Sequence, residues 1–113
     1  MSMISFEGIG EVMATVYMTD SVEVGKVVRS LENDWVCDCS DGDLFCGVAV
    51  KRNGYVGSMQ VKGFVRVPYS GELKRGWKYL VANDEGGVRE GADGVRVLVI
   101  QVDVDNGTAV ICL

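Results

Sequence analysis

The chain has 113 residues, 48% of them hydrophobic, no histidine and a formal net charge of −5 at pH 7. This composition excludes a disordered chain and excludes catalytic triads and metal sites that depend on imidazole. The length predicts one domain that buries about two-thirds of its unfolded surface. The acidic balance disfavours nucleic acid as a partner, because a phosphate backbone would be repelled. The few basic clusters, around residues 51–52 and 74–78, are typical of solvated turns.

The N-terminal region predicts neither a secretion signal nor a membrane segment. The apolar runs, such as residues 97–100, are far shorter than the roughly 20 residues that span a bilayer. Residues 1–12 lack the basic start and the long apolar stretch of a signal peptide. We therefore expect a soluble protein that has no membrane partner and stays in the cytoplasm of the cell that makes it.

The first part of the chain predicts an arm followed by short strands. Residues 1–11 have no clean period and indicate an N-terminal arm or edge strand, which leaves 12–113 as a single β-barrel-like domain. Residues 12–18 alternate between the two sides of a ribbon, which is typical of a strand. The stretch 22–29 continues in the same manner, and 35–39 predicts a short strand after a polar turn.

The second part predicts a series of hairpins. Asn53-Gly54 and Asn106-Gly107 each provide the positive φ angles of a two-residue type I′ turn. Further strands are predicted at 44–50, 58–67, 77–82, 88–90, 95–104 and 108–113. Pro68 ends the alternating ladder of 58–67, because proline has no amide hydrogen to donate. The fold class predicted is all-β: a small antiparallel β-barrel or sandwich of about eight short strands joined by hairpins.

The longest predicted strand is apolar on both faces. Val95, Val97 and Val99 lie on one face, and the other face consists of Leu98, Ile100, Val102 and Val104. A small barrel has only one interior, so the second face is expected to meet another subunit or another protein. The alternative is that a loop or the N-terminal arm folds over it. The expected oligomer or partner interface comprises Leu98, Ile100, Val102, Val104, Phe64, Ile4 and Phe6.

The four cysteines leave several possibilities open. Cys37 and Cys39 are two residues apart, followed by Cys46 and by Cys112 near the other end. This spacing is unlike that of paired zinc knuckles. Small buried hydrophobes in a reducing compartment are the favoured interpretation. A disulfide, a zinc site and a cysteine-based redox protein remain as alternatives.

No motif predicts an enzyme or a cofactor. The chain contains no dinucleotide-binding loop, Walker motif or nucleophile elbow. Two acidic turns, at residues 38–43 and 103–107, gather oxygen atoms but lack the flanking helices and the distal glutamate of an EF-hand. Asp and Asn side chains at turns cap their own backbone, which explains both turns without an ion. We therefore expect no cofactor and no metal.

Aromatic residues suggest a second class of function. Tyr55, Phe64, Tyr69 and Trp77 could form one binding face on a barrel of the OB or SH3 type, for a peptide, a sugar or a single strand. The alternative is that these rings pack between strands, which is the more common fate of aromatic side chains.

The order of short segments from Gly25 onward resembles a known family. The segments are Gly-Lys-Val-Val at 25–28, Phe-Cys-Gly-Val-Ala-Val at 45–50, Val-Lys-Gly-Phe-Val-Arg-Val-Pro at 61–68, and the closing Gly-Thr-Ala-Val-Ile-Cys-Leu at 107–113. This pattern is similar to that of the small capsid-decoration-like proteins of tailed bacteriophages and prophages, a group also known as DUF2190. The cysteines and the segment around Trp35 depart from the family pattern.

The resemblance implies a structural role and no catalytic residues. Such proteins sit outside an expanded phage head, often as trimers, and brace neighbouring coat subunits. It therefore implies a homo-oligomer, with a trimer favoured, and the phage major capsid protein as the partner. Apolar burial and strand addition by an arm or edge strand would provide the contact. The expected location is the bacterial host cytoplasm, and the virion where the phage assembles.

Overall fold

The computed structural model describes residues 7–113, and in this part of the chain the secondary structure is entirely β. No helix there is long and apolar enough to cross a bilayer. The strands are β1 Val12–Met18, β2 Val27–Glu32, β3 Trp35–Asp38, β4 Gly47–Asn53, β5 Val56–Lys62, β6 Phe64–Pro68, β7 Gly76–Ala82, β8 Val88–Glu90, β9 Val95–Asp103 and β10 Thr108–Cys112. The predicted all-β class is confirmed, with ten described strands rather than about eight.

The first five strands close into a barrel in the order β1-β3-β2-β4-β5. Strand β1 runs antiparallel to β5 and parallel to β3, where Tyr17 lies opposite Trp35. The closed barrel leaves none of these strands as a free edge. A small apolar core fills its interior: Met18, Val22, Val28, Val36 and Ala49, with Val16 and Met59 packed against them.

Arg52 fastens one end of the barrel. Its guanidinium donates hydrogen bonds to the carbonyl oxygens of Thr19 at 2.9 Å, Val22 at 2.7 Å and Gly54 at 2.6 Å. A planar cation with several donors suits such a set of acceptors better than a lysine would. Arg52 therefore ties the loop after β1 to the hairpin between β4 and β5.

The last five strands form an antiparallel sheet in the order β6-β10-β9-β7-β8. One face of this sheet packs on the barrel and encloses the larger core, which comprises Val27, Cys39, Phe45, Val48, Val67, Leu73, Leu80, Ala82, Val88, Val97, Val99, Ala109 and Ile111. Four of these residues come from the barrel half of the chain: Val27, Cys39, Phe45 and Val48. The larger core therefore joins the two layers. The other face of the sheet points away from the barrel and is called the outer face below.

The single strand predicted at 58–67 is wrong, because Gly63 divides it into β5 in the barrel and β6 in the sheet. Gly63 has a φ of +93°, a backbone conformation that side chains other than hydrogen disfavour. A Cβ atom there would lie 2.5 Å from the carbonyl carbon of Gly10. The buried Gln60 amide closes the junction by donating to the carbonyls of Lys62 and Phe64, each at 3.0 Å.

Residues 7–9 run beside β6. The Gly8 amide donates to the Phe64 carbonyl at 2.9 Å, and the Phe64 amide donates to the Ile9 carbonyl at 3.0 Å. Glu7 accepts a hydrogen bond from Arg66 at 2.7 Å. This segment therefore covers part of the outermost strand of the sheet. The expectations for residues 1–6, including Ile4 and Phe6 at an interface, lie outside the described residues.

The hairpins form where predicted, but the turn residues differ. Asn53 belongs to β4 and lies opposite Val56, so the loop is Gly54-Tyr55. Gly54 has a φ of +64°, and glycine at the first loop position is typical of a type II′ turn rather than type I′. The loop after β9 has four residues, 104–107, instead of two. Asp103 closes it by accepting from the Asn106 backbone and side-chain amides.

Strand β4 begins at Gly47, three residues later than predicted. Leu44 is exposed, while Phe45 is buried in the core between the layers, so this segment inserts one side chain without pairing as a strand. The Cys46 amide donates to the Val28 carbonyl at 2.8 Å, which brings the chain into register with β2.

Candidate protein interface

A β-bulge in β9 changes the face on which its later residues lie. Val99 lies opposite Ile111, and Gln101 lies opposite Val110, so Ile100 is the extra residue. Beyond the bulge, Val102 packs against the large core together with Val97 and Val99. The prediction that Val102 shares the outer face with Leu98 is therefore wrong, because the bulge shifts the two-residue period by one.

The outer face of the sheet carries a row of apolar side chains across four strands. Phe64 lies opposite Cys112, Cys112 opposite Leu98, and Leu98 opposite Trp77. Directly opposed residues in an antiparallel sheet project from the same face. The Trp77 side chain is 58% exposed, and the other three are half-buried. We call these four residues the sheet row.

The centre of the outer face is covered by the chain itself. Val110 lies between Arg66 on β6 and Gln101 on β9, and the Arg66 guanidinium donates to the Gln101 side chain at 2.8 Å. The Val110 side chain, which lies between the two partners of this bond, is only 1% exposed. The same guanidinium donates to Thr108 and Glu7. Among the described residues of the sheet row, the exposed apolar side chain is that of Trp77.

A cation and a second aromatic ring extend the sheet row. The Arg96 guanidinium lies 4.3 Å from the centroid of the Trp77 ring, within the range of a cation–π contact. Tyr79 lies opposite Arg96 and is also exposed. Among the described residues, no carboxylate forms an ion pair with Arg96. We call Trp77, Tyr79, Arg96 and Leu98 the sheet patch.

A second exposed aromatic cluster lies on the barrel. The Tyr17 and Trp35 rings stack with centroids 5.2 Å apart, and the Tyr55 ring lies 6.1 Å from that of Trp35. Tyr17 lies opposite Val56, and both are exposed. We call these four residues the barrel patch. The exposed Leu31 lies near the end of β2, the strand beside β3.

The aromatic set proposed for an OB- or SH3-like binding face is not assembled. Tyr55 lies on the barrel, whereas Phe64 and Trp77 lie at opposite ends of the sheet row. Tyr69 packs against the core between the layers. The prediction that these four rings share one face is wrong. The barrel patch was missed because Tyr17 and Trp35 meet through a parallel pairing of strands that are distant in sequence.

The remaining predicted interface residues lie at different places. Ile100 is half-buried at the bulge. Val104 is 77% exposed in the loop after β9. Its side chain lines an open groove with Val102 and three residues of the connector before β7, namely Leu73, Lys74 and Arg75. Only Leu98 and Phe64 of the predicted interface residues within 7–113 belong to the sheet row.

All four cysteines are free thiols. Cys37 and Cys39 are buried, while Cys46 is exposed with its Sγ atom 3.9 Å from the Met59 Sδ atom. The disulfide alternative is therefore wrong. Within residues 7–113, no group of three or more histidine, cysteine, aspartate or glutamate side chains is arranged to hold a metal ion. Burial, followed by the nearby Asp43 charge, raises the pKa of Cys39 to about 12.

This pKa predicts a loss of stability at alkaline pH. The unfolded thiol titrates near 9.0 and the folded thiol near 12, so the folded state holds the proton more tightly. The stabilisation is complete below pH 9 and is lost as the pH rises towards 12. Between about pH 8 and about pH 10.5, we expect the wild type to lose about 1 to 2 kcal/mol more than Cys39→Ala in urea unfolding. Equal losses in the two proteins would contradict this assignment.

The carboxylates of the two acidic turns form hydrogen bonds and an ion pair within the chain. The Asp43 carboxylate accepts from the Ser40 amide at 2.8 Å, and Asp41 pairs with Arg89 at 2.9 Å. The hydrogen bond from Arg89 lowers the pKa of Asp41, and the bonds from Asn106 lower the pKa of Asp103. The Asp43 and Asp103 contacts are the capping interactions expected of Asp residues at turns, whereas Asp41 pairs with Arg89 on β8.

The two patches bring together most of the exposed aromatic side chains of the described chain. Both combine aromatic and aliphatic side chains, and tryptophan, tyrosine and arginine are the residues that most often dominate protein–protein contacts. The chain therefore presents two separate exposed aromatic patches, one on each layer. No family model, curated protein or solved structure matches this chain.

Proposed function

We propose that this chain is a non-enzymatic structural protein of a phage or prophage head, which self-associates and braces coat subunits. The observation that supports it most is the sheet row on the outer face. Support also comes from the resemblance to capsid-decoration-like proteins in the segments that form β4, β6 and β10. A decoration protein needs a rigid body and contact surfaces, and it needs no catalytic group.

The sheet row has the character of a contact surface. An antiparallel sheet that packs one face on a core normally exposes polar residues on the other. Here the open end of the outer face presents Leu98 and Trp77 instead, with Arg96 beside them. Contiguous exposed apolar side chains mark sites of association in soluble proteins. The proposed contact with a coat subunit is therefore made by side chains on this face.

Strand addition is the less suitable mode of contact, because both outermost strands of the sheet are partly paired within the chain. Gly8 and Ile9 bond to Phe64 on β6. At the other edge, the Ser70 amide donates to the Val88 carbonyl at 3.0 Å, and Tyr69 forms a parallel bridge with Val88. A coat-protein strand would have to displace these segments before it could pair.

Binding to assembled heads tests the proposal. The purified protein is mixed with expanded empty heads made from the coat protein of the same phage or prophage, and co-sedimentation is measured. We expect saturable binding that Trp77→Ser weakens by about tenfold or more, since buried tryptophans dominate many interfaces. Leu44→Ser is the matched control, because Leu44 is also 58% exposed but lies outside both patches. Absence of wild-type binding would reject the proposal.

The barrel patch supports an alternative function, a binding module for a peptide, a sugar or a single strand. The barrel has five strands, as OB-folds do, and its stacked Tyr17 and Trp35 rings are the type of platform on which such ligands stack. The net charge of −5 disfavours a single strand. In Trp77→Phe, Trp35 is the only tryptophan, so its fluorescence reports ligand binding at this patch directly.

A further inference from the structure

We infer that this chain associates head to tail, with the barrel patch of one copy packed on the sheet patch of the next. The inference deepens the proposed role as an assembly protein and rests on it. It assigns the two faces of the self-contact and the charges that pair across it. Each patch is exposed in the described chain, and the two lie on different layers, β1 and β3 in the barrel and β7 and β9 in the sheet.

The charged groups nearest the tryptophan rings of the two patches are opposite in sign, while Glu90 and Lys78 line the groove on the other side of Trp77 and Tyr79. Arg96 lies on the Trp77 ring in the sheet patch and has no acidic partner among the described residues. Glu32 lies directly opposite Trp35 in the barrel, and Asp34 precedes Trp35 in the turn. Both carboxylates are exposed, and in the part of the chain described neither forms an ion pair.

Opposite charges favour a head-to-tail contact over a symmetric one. In a symmetric contact through the sheet patch, Arg96 would approach the Arg96 of the second copy. In a symmetric contact through the barrel patch, Glu32 and Asp34 would approach their own equivalents. Like charges at an interface are costly, and complementary charges set its register. Only the contact between unlike patches pairs Arg96 with these carboxylates and covers both aromatic clusters at once.

A contact between unlike faces has a consequence for assembly. Each copy uses one patch on each of two neighbours, so the contact either closes into a ring or continues as a filament. The aromatic rings bury apolar area in both cases, while the charged side chains at the rim select the partner face.

Charge reversal with complementation tests this inference. The association constant of the full-length protein is measured by sedimentation for the wild type, Arg96→Glu and the double variant Glu32→Lys with Asp34→Lys. We expect each variant to associate at least about tenfold more weakly than the wild type, since like charges then face each other. An equimolar mixture of the two variants is expected to regain association, because each provides the patch that the other lacks. Arg75→Glu, and Asp84→Lys with Glu85→Lys, are exposed controls outside both patches.

The outcomes separate this inference from the proposed function. A wild-type protein that stays monomeric but binds phage heads overturns the head-to-tail contact and leaves the proposed function intact. If Arg96→Glu weakens self-association but Glu32→Lys with Asp34→Lys does not, the contact is a symmetric one through the sheet patch. This result also overturns the head-to-tail contact. An equimolar mixture of the two charge-reversal variants that does not associate also overturns the head-to-tail contact. Restored association in the mixture, with unchanged circular dichroism of each variant, supports the contact even if binding to heads fails.

Discussion

Gly63→Ala is expected to lower the free energy of unfolding by about 3 kcal/mol, the sum of a backbone penalty and a steric one. The φ of +93° is disfavoured for any residue with a Cβ atom. That atom would also lie 2.5 Å from the Gly10 carbonyl carbon and 2.6 Å from the Glu11 nitrogen. Both contacts are with backbone, which cannot move aside without breaking the pairing of residues 8–9 with β6. Chemical denaturation measures the loss.

Gly107→Ala is the matched control for this prediction. Gly107 also has a positive φ, +66°, but a Cβ atom there would meet nothing within 4 Å. Its substitution should therefore cost only the backbone penalty, about 1 kcal/mol. Hydrogen exchange at the Gly8 and Phe64 amides should increase in Gly63→Ala and stay unchanged in Gly107→Ala. Equal losses of stability in the two variants would show that the close approach to Gly10 is energetically unimportant.

Asn83→Ala is expected to cost a similar amount, about 3 kcal/mol. The Asn83 side chain is 2% exposed, and its Oδ1 atom accepts from the Glu85 and Gly87 amides, each at 2.9 Å. Its Nδ2 group donates to the Ser70 hydroxyl at 3.0 Å and the Val88 carbonyl at 3.3 Å. Alanine would leave buried backbone groups without partners, and such groups are more costly than the net value of a hydrogen bond.

The exposed Asn106 provides the comparison for Asn83. It also bonds within its own turn, to Asp103 at 2.7 Å, but in contact with water. Asn106→Ala should cost less than about 1 kcal/mol, since water replaces the lost partner. Urea unfolding of both variants measures the difference. If Asn83→Ala were no more destabilising than Asn106→Ala, the buried amide would not hold the turn between β7 and β8.

Local pattern alone predicts much of the secondary structure. Strand β1 has the predicted bounds, Val12–Met18, because its alternation is uninterrupted and polar residues follow it. The hairpin from β9 to β10 was also predicted, because Asn106-Gly107 marks a turn between two valine-rich segments, although the loop has four residues rather than two. In these cases, the residues that decide the structure are neighbours in the sequence.

The features that sequence analysis missed depend on residues far apart in the chain. Alternation continues across Gly63, so periodicity does not reveal that β5 and β6 belong to different sheets. Only the approach of Gly10 and the choice of partner strands separate them. The bulge at Ile100 places Val102 on the opposite face of the sheet from the one predicted. Sequence analysis missed this bulge too, because it is defined by the pairing of β9 with β10.

The candidate interface was predicted in part. Leu98 and Phe64 were expected at an interface; the structure places both in the sheet row, and their role in an interface stays a prediction. Cys112 and Trp77 complete the row only because β10 and β7 flank β9, and strand order is not readable from one sequence. The cation–π contact of Arg96 with Trp77 depends on that same order.

The division of the molecule at Gly63 has a consequence for its biosynthesis. The barrel comprises β1–β5 and the sheet β6–β10, so each layer is one uninterrupted half of the polypeptide. At about 5–20 residues per second, the ribosome needs several seconds to make the second half after the first. During that interval the barrel can close. Its residues Val27, Phe45 and Val48 remain exposed to solvent, because the sheet that covers them in the finished protein has not yet been made. We therefore expect the nascent chain to bind chaperones that recognise exposed apolar surface until the sheet has formed.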